Sequence, residues 1–241
     1  MLYSTRGIIF HTVPYSDNRV IAKIYTRDFG LLSFIVSVSR TKSGKIKSPL
    51  LQPLTQVDLR IEKKEKSQLH SIRDITLAVP YSDLHNNIVK TSIALFIAEV
   101  LYKAIREEEP NDGLFTYISE GLLVLDTADE GVSNFHLIFV MQLTRFLGFY
   151  PHEETLRDRT VFDLINGEFV GRPPDHFDFL DLEESELLGR LLRSGFSDMG
   201  SLALNGEKRK VVLNGLLRYY ETHLPLMQKI QSHDVLTQVL S

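Results

Sequence analysis

Residues Arg19–Ser39 read RVIAKIYTRDFGLLSFIVSVS, and this stretch holds two consecutive β-strand patterns. In Arg19–Arg27, mostly apolar side chains at even-numbered positions alternate with charged and aromatic ones at odd-numbered positions, with Ile21 as the exception. A period of two is typical of a strand with one buried face. Asp28-Phe29-Gly30 then predicts a turn, and Leu31–Ser39 predicts the next strand.

The neighbouring segments extend this β pattern over the N-terminal third of the chain. Ile8–Phe10 lies in an earlier β-rich run, which is followed by a turn signal at Pro14–Asn18. Leu54–Lys64 and Ser67–Val79 supply two later strands, and one slip in the alternation of Leu54–Lys64 suggests a β-bulge. Five strands joined by short turns predict a small closed barrel.

From Ser82 onward, the apolar residues recur at the spacing of helices. The first three predicted helices run from Ser82 or Asp83 to about Glu109, from Asn111 or Asp112 to about Ala128, and from Ser133 to Gly148. Two more run from about Ser185 to Arg193 and from about Glu207 to Thr222, and a short final helix begins at about Ser232. The third of these helices is apolar on most faces, so we expect it to be central.

Between the third and fourth helices, Val161–Gly171 reads VFDLINGEFVG and predicts a β-hairpin. We expect Asn166-Gly167 to form a two-residue type I′ turn, which requires a positive φ at both positions. The predicted fold class is therefore α+β. A five-stranded barrel occupies residues 1–80, and a helical domain with a small hairpin insertion at about residues 161–170 occupies residues 81–241.

The charge of the chain is divided unevenly between these two parts. The formal net charge is −4, yet residues 1–80 hold 13 Lys and Arg against 6 Asp and Glu, and residues 81–241 hold 14 against 25. Such asymmetry indicates nucleic acid or another anion as a partner for the first part. The chain contains no cysteine, no stretch of 18 apolar residues and no secretory signal pattern, so we expect a cytoplasmic location and no membrane partner.

No catalytic motif is present in the sequence. A phosphate-binding loop, a glycine-rich dinucleotide cradle and a nucleophile elbow are all missing, and the eight histidines are scattered without metal-site spacing. Asp28-Phe29-Gly30 matches the Asp-Phe-Gly motif of protein kinases, but it lies between two predicted strands and the other kinase motifs are missing. We therefore expect neither an enzyme nor a cofactor or metal site.

The segment Arg40–Pro49, RTKSGKIKSP, carries four cations between hydroxyl side chains and a glycine. Cations neutralise phosphates, and hydroxyl groups donate hydrogen bonds to phosphate oxygens. The candidate nucleic-acid-binding residues are Arg40, Lys42, Lys45 and Lys47 of this basic segment, Arg19, Lys23 and Arg27 of the preceding strand, and Tyr15 as a base-stacking ring, with Tyr25 and Phe34 as further stacking candidates.

Two alternatives remain open from charge alone. The basic segment also fits a solvated loop whose lysines only aid solubility. A second hypothesis is a non-catalytic protein scaffold, in which the basic barrel binds an acidic protein partner and not DNA.

The chain resembles the RecO family of bacterial DNA repair proteins. The resemblance lies in GIIFHTVPYSDN at Gly7–Asn18, VIAKIYTRDFG at Val20–Gly30, the basic segment with LQPL at Leu51–Leu54, LGFYP at Leu147–Pro151 and YYETHL at Tyr219–Leu224. It implies an N-terminal OB-fold, a helical C-terminal domain and no catalytic turnover. It also implies a nucleoid-associated recombination mediator that binds single- and double-stranded DNA, anneals complementary strands and, with the partner RecR, helps load recombinase onto DNA coated by single-stranded-DNA-binding protein (SSB).

Two further expectations follow from the resemblance. RecO-like proteins bind the acidic C-terminal tail of SSB in the helical domain, and Arg145 is our candidate for meeting its terminal carboxylate, with an ordinary salt bridge as the alternative role. Many relatives carry a four-cysteine zinc site after the LG[YF] motif, whereas Pro151–Asp175 holds no cysteine, so zinc is not implied here.

Overall fold

The computed structural model describes residues 1–37, 48–63, 67–106, 108–227 and 229–240. Contacts divide the chain into two compact units. The first, which we call the barrel unit, comprises residues 1–87 and 97–126, and the second, the helical unit, comprises residues 88–96 and 127–241. The domain boundary at residue 80 that the sequence suggests stays a prediction.

The strands and helices follow the predicted order, and the α+β class with an N-terminal five-stranded barrel is confirmed. The strands are β1 (Leu2–Ser16), β2 (Arg19–Thr26), β3 (Gly30–Ser37), β4 (Gln56–Glu62), β5 (His70–Leu77), β6 (Val161–Asp163), β7 (Glu168–Val170) and β8 (Phe179–Leu180). The helices are α1 (Ile88–Ala104), α2 (Asp112–Thr127), α3 (Phe135–Leu147), α4 (Leu182–Leu192), α5 (Gly206–His223) and α6 (Ser232–Leu240).

The five N-terminal strands close into a barrel in the order β1-β2-β3-β5-β4. All neighbours pair antiparallel except β3 and β5, which pair in parallel. The inward side chains form an apolar core of Ile9, Ala22, Ile24, Leu32, Phe34, Val36, Leu51, Val57, Leu59, Ile61 and Ile75. Closure pairs every strand on both sides and leaves no free edge, as expected for a small barrel.

Irregular pairing occurs in both β1 and β5. The register of β1 against β2 shifts between Ile9 and His11 and again between Pro14 and Ser16. The slip in the alternation between Leu54 and Val57 is not a bulge of β4, because Leu54 precedes the strand, which begins at Gln56, and has a φ of 62°. A bulge lies on β5, where Arg73 is the extra residue in the pairing with β4.

The Asp28-Phe29-Gly30 tripeptide forms a turn between β2 and β3. Gly30 has a φ of 65°, and a Cβ at this position would lie 2.5 Å from the carbonyl oxygen of Glu109. Both the left-handed backbone and the close approach therefore require glycine here.

The connection from the barrel into α1 differs from the prediction. The Asp126 carboxylate accepts hydrogen bonds from the backbone N–H groups of Ser82 (3.1 Å), Asp83 (2.8 Å) and Leu84 (2.7 Å), and from the Ser82 hydroxyl. These donors are held by a distant side chain, so the chain continues in turns and α1 begins only at Ile88. Burial raises the pKa of Asp126, but the four hydrogen bonds outweigh it and lower the net value.

Helix α3 is central to the helical unit, as its composition predicts. Nine of its residues are buried, and the Tyr220 hydroxyl of α5 donates to the Val140 carbonyl at 2.7 Å. Gly148 ends the helix with a φ of 84°, the left-handed conformation typical of a helix C-terminus.

His136 in α3 gives the helical unit a specific dependence on pH. Burial, with a smaller contribution from the charge of Arg209, lowers the pKa of His136 to about 3, whereas an unfolded histidine titrates near ~6.5. Between these values the unfolded chain binds a proton that the folded state does not, so stability falls as the pH drops below about 6.5. We expect this residue alone to remove about 2 kcal/mol from the free energy of unfolding between pH 7 and pH 5.

Urea unfolding at the two pH values, on the wild type and on His136→Gln, measures this contribution. The variant should lack that part of the pH dependence, and the exposed-site control His152→Gln should retain it. An unchanged pH dependence in His136→Gln would show that His136 is not the titrating group.

The hairpin is present as β6 and β7, but its turn is not type I′. Gly167 has a φ of 68°, whereas Asn166 does not have a positive φ. The Asp163 carboxylate accepts hydrogen bonds from the N–H groups of Ile165 (2.8 Å) and Asn166 (3.2 Å), and this bends a four-residue loop in which only glycine is left-handed. Strand β8, which the sequence did not predict, pairs with β6 and completes a three-stranded sheet.

Within the described ranges, we find no helix with both the length and the apolar character needed to cross a membrane.

Candidate nucleic-acid interface

The basic segment itself lies mostly outside the described residues. Arg40, Lys42, Lys45 and Lys47 all fall in residues 38–47. The residues on either side of this gap are described, since β3 ends at Ser37 and a short 3-10 helix begins at Ser48. The surroundings of Ser37 and Ser48 therefore define where the segment leaves the barrel and where it returns.

Arg19 lies beside both of these points. It begins β2, is exposed, and pairs across the ladders with Ser37 of β3 and Ser16 of β1. It also shares the lining of a surface cavity with Ser48. No carboxylate in the described part of the chain forms an ion pair with Arg19, so its charge is available to a ligand at this end of the barrel.

The cavity has a volume of about 420 Å³ and combines apolar and hydrogen-bonding groups. Its lining consists of the apolar residues Pro14, Val20, Leu51 and Pro53, the polar residues Thr12, Ser16, Asn18, Ser48 and Gln52, the cation Arg19 and the acid Asp17. Asn18 and Gln52 were not among the sequence-predicted site residues. Their signal was present in the turn PYSDN and the motif LQPL, but only the fold brings these two segments together.

Tyr15 occupies a suitable position for stacking on a base. The register shift between Pro14 and Ser16 leaves it as the extra residue of a bulge near the β1–β2 turn, and 56% of it is exposed. Tyr25 and Phe34 do not share this role, because both are buried. Tyr25 stacks on Phe10 with ring centroids 5.4 Å apart. Tyr25 and Phe34 are therefore core residues, and the prediction that they stack on bases was wrong.

Lys23 lies four residues along β2 from Arg19, on the same strand face by the period of two. It is half-buried, and its Nζ donates a hydrogen bond to Ser33 Oγ at 2.6 Å. This contact with a neutral hydroxyl holds the ammonium in place and leaves its charge uncompensated.

Arg27 lies beyond the other end of β2, about 26 Å from Arg19 along an extended strand. Its guanidinium pairs with Asp112, with Nε 2.6 Å from Oδ1. The hydrogen bond to Arg27 lowers the pKa of Asp112, and the hydrogen bond to Asp112 raises the pKa of Arg27. The charge of Arg27 is thus compensated within the chain, although both side chains are exposed and the pair can exchange.

Other cations of the barrel are also compensated internally. Arg6 pairs with Asp58 at 3.3 Å, and Arg73 pairs with Glu62. Lys63 lies over the Phe29 ring, 4.8 Å from its centroid. Arg60 of β4 is exposed and, among the residues that the structure describes, forms no ion pair. The cations of residues 1–80 therefore do not form one uniform surface: several are compensated internally, whereas Arg19, Lys23 and Arg60 are not.

Arg145 is exposed on α3 in the helical unit, and its guanidinium lies over an aromatic ring. Its Cζ is 3.6 Å from the centroid of Tyr150, and its Nε donates to Gln142 Oε1 at 2.8 Å. Among the residues that the structure describes, no carboxylate pairs with it, so the salt bridge considered as its alternative role is not formed. The unshared edge of this fixed guanidinium is suited to a carboxylate ligand.

The residues after α3 do not fit a zinc site of the four-cysteine type, since no thiolate is available. The oxygens of Asp163 are engaged by the turn and by His176, whose Nε2 is 3.4 Å from Oδ2. Within the described ranges, no three potential ligands of the His, Cys, Asp or Glu type converge on one point. The hairpin is held by this carboxylate and by the packing of Phe162 against Phe169 and Tyr219.

Comparison with known proteins matches the chain along nearly its full length. The family described as Recombination protein O N terminal matches residues 1–81, and the family described as Recombination protein O C terminal matches residues 85–230. The chain is 38% identical over 241 residues to the DNA repair protein RecO of Phocaeicola vulgatus, covering 100% of both chains. It is also 36% identical to that of Bacteroides fragilis over 240 residues, covering 99% of both, and 31% identical to that of Flavobacterium psychrophilum over 242 residues, covering 100% of both. The chain therefore belongs to the RecO family of DNA repair proteins.

Proposed function

We propose that this RecO family protein is a non-catalytic recombination mediator that binds DNA at the Arg19 end of its barrel. The observation that carries the proposal is that both described ends of the basic segment adjoin Arg19. The cations of the segment and of β2 then meet the phosphates of a DNA strand together, with Tyr15 available to stack on a base. Since every base presents a stacking face, such a site tolerates any sequence.

The same arrangement accounts for annealing of complementary strands. Cations that neutralise phosphates on two strands lower their mutual repulsion, so that complementary bases can meet. The site accepts single- and double-stranded DNA because phosphates are common to both. We place the action of the protein at the bacterial nucleoid, where these substrates occur.

Partner binding belongs to the helical unit in this proposal. This unit holds 12 lysines and arginines and 17 aspartates and glutamates. Because its net charge is negative, it does not attract DNA broadly. The exposed guanidinium of Arg145 is our proposed contact for the C-terminal carboxylate of the SSB tail. With RecR as a second partner, the protein would help load recombinase onto SSB-coated DNA.

A salt titration with a matched pair of variants tests the DNA site. Arg19→Gln should reduce the log–log salt slope of single-stranded DNA binding by about 0.7, because one phosphate contact is lost. Arg73→Gln, an exposed arginine already paired with Glu62, should leave the slope unchanged. Fluorescence anisotropy of a labelled oligonucleotide at several salt concentrations measures both.

Equal slopes in Arg19→Gln and the wild type would contradict DNA binding at this end of the barrel. Unlabelled oligonucleotide should displace the labelled DNA. Weak, non-saturating binding would instead favour the scaffold that binds an acidic protein.

A further inference from the structure

A cavity in the helical unit is lined by four arginines, and it is remote from the barrel residues in sequence. It has a volume of about 730 Å³, and Arg157, Arg159, Arg190 and Arg193 line it together with Asp158 and Glu186. These charges sum to +2 in a unit whose formal balance is −5. A third of the unit's lysines and arginines thus line one cavity, which indicates a ligand of concentrated negative charge.

The charges of these arginines remain available. In the described structure, neither Arg159 nor Arg193 forms an ion pair with a carboxylate. Arg190 pairs with Glu186 at 2.9 Å, but both side chains are more than half exposed. An exposed pair of this kind contributes about 0–1 kcal/mol, so an anion that binds Arg190 can replace Glu186 at little cost.

The loop that presents Arg157 and Arg159 is held by specific contacts. Arg157 Nη1 donates to the carbonyl oxygens of Glu154 (2.7 Å) and Leu156 (2.9 Å), and the Thr160 hydroxyl donates to the Arg157 carbonyl at 2.8 Å. Arg159 has a φ of 56°, a conformation that side chains with a Cβ rarely adopt. Such a conformation persists only where surrounding contacts enforce it, and it is concentrated at ligand sites.

The lining of the cavity also includes apolar side chains. Leu156 and Leu182 contribute to it, and 54% of Leu182 is exposed. A Cβ on Gly189, which also lines the cavity, would stand 3.0 Å from Leu156 Cδ1, so glycine lets Leu156 pack closely against α4. The cavity therefore combines apolar surface with guanidinium groups.

We propose that this cavity binds a nucleoside phosphate. Planar guanidiniums bind phosphate oxygens in a bidentate manner and also stack on flat rings, and a volume of about 300–1,000 Å³ is typical of small-ligand sites. The phosphate lies among the arginines, and the base lies along Leu156 and Leu182. An acidic peptide fits less well, because its carboxylates are spread along an extended chain, whereas these four cations line one cavity.

The nucleoside phosphate has two possible sources, a free nucleotide or the 5′-phosphorylated end of a DNA strand. Binding of ATP to the full-length protein, measured by calorimetry without added magnesium, tests the first. Binding of a short oligonucleotide with a 5′-phosphate, compared with the same oligonucleotide with a 5′-hydroxyl, tests the second. Saturable binding in either arm that depends on the cavity arginines supports the proposal and identifies the source.

Arginine variants connect the binding to the cavity. Arg193→Gln should weaken binding by about tenfold, as expected for the loss of one charge-assisted hydrogen-bonding group. Arg159→Gly should weaken it to a similar degree while leaving the melting temperature unchanged or higher, because glycine relieves the positive φ. Arg172→Gln, an exposed arginine that does not line the cavity, is the matched control and should bind as the wild type does.

Three results would overturn the proposal. The first is the absence of saturable ATP binding together with equal affinity for the 5′-phosphorylated and the 5′-hydroxyl strand. The second is binding that Arg172→Gln weakens as much as Arg193→Gln does. The third is arginine-dependent binding of an acidic peptide in place of the nucleotide. None of these results bears on DNA binding by the barrel, which the Arg19 experiment tests separately.

Discussion

Replacing Lys42, Lys45 and Lys47 together by glutamine is expected to lower the log–log salt slope by about 2 for single-stranded DNA and about 3 for duplex DNA. The reason is that each cation that neutralises a phosphate releases one condensed counterion. At ~0.1 M salt, a loss of two slope units corresponds to roughly 100-fold weaker binding of single strands. Anisotropy titrations of labelled single-stranded and duplex oligonucleotides, at four or more salt concentrations, measure both effects.

The control is a triple variant with the same change of net charge in the helical unit. Lys208, Lys210 and Lys229 replaced by glutamine should leave the slope at its wild-type value. If the basic-segment variant binds DNA with the wild-type salt slope, or if the control reduces it equally, the basic segment does not contact phosphates and the DNA site proposed at the Arg19 end is wrong.

Asp126→Ala is expected to destabilise the protein by about 3–5 kcal/mol. The Asp126 carboxylate is buried and accepts four hydrogen bonds from Ser82, Asp83 and Leu84. Removing it leaves three backbone donors without their partner, at about 1–3 kcal/mol for each buried unsatisfied group, part of which water will recover. The free energy of unfolding in urea, followed by circular dichroism, measures the loss.

Two further variants separate the hydrogen bonds from the change in side-chain size. Asp126→Asn keeps one acceptor oxygen and should lose less stability than Asp126→Ala. Glu120→Ala, an exposed acid on the same helix, should change the free energy of unfolding by no more than about 0.5 kcal/mol. A loss below ~1 kcal/mol in Asp126→Ala would mean that these hydrogen bonds do not anchor the connection.

The two arginines at the ends of β2 differ in whether an acid compensates their charge. Arg27 is compensated by Asp112, whereas Arg19 has no ion pair in the described part of the chain. Neutralising Arg27 should therefore affect DNA binding less than neutralising Arg19, even though both are exposed arginines at the ends of one strand. Net charge by itself does not distinguish these two positions.

The local patterns of the sequence determined most of the fold. Alternation in Arg19–Arg27, the turn at Asp28-Phe29-Gly30 and the apolar run of α3 are properties of neighbouring residues, so the strands, the turn and the central helix could be predicted from them. The motifs at Gly7–Asn18 and Leu147–Pro151 likewise carried the resemblance to the RecO family, which the comparisons confirm.

The tertiary structure decided every feature that depends on residues far apart in the chain. Asp126 reaches Ser82–Leu84 across more than 40 positions and delays the start of α1, and Asp163 accepts the N–H groups of Ile165 and Asn166 in place of a type I′ turn. The pairing of Arg27 with Asp112 and the burial of Tyr25 are equally invisible to local patterns. The physical reason is that periodicity reports which side chains leave water, whereas the partner that satisfies a buried donor or a surface charge is chosen only when distant segments pack together.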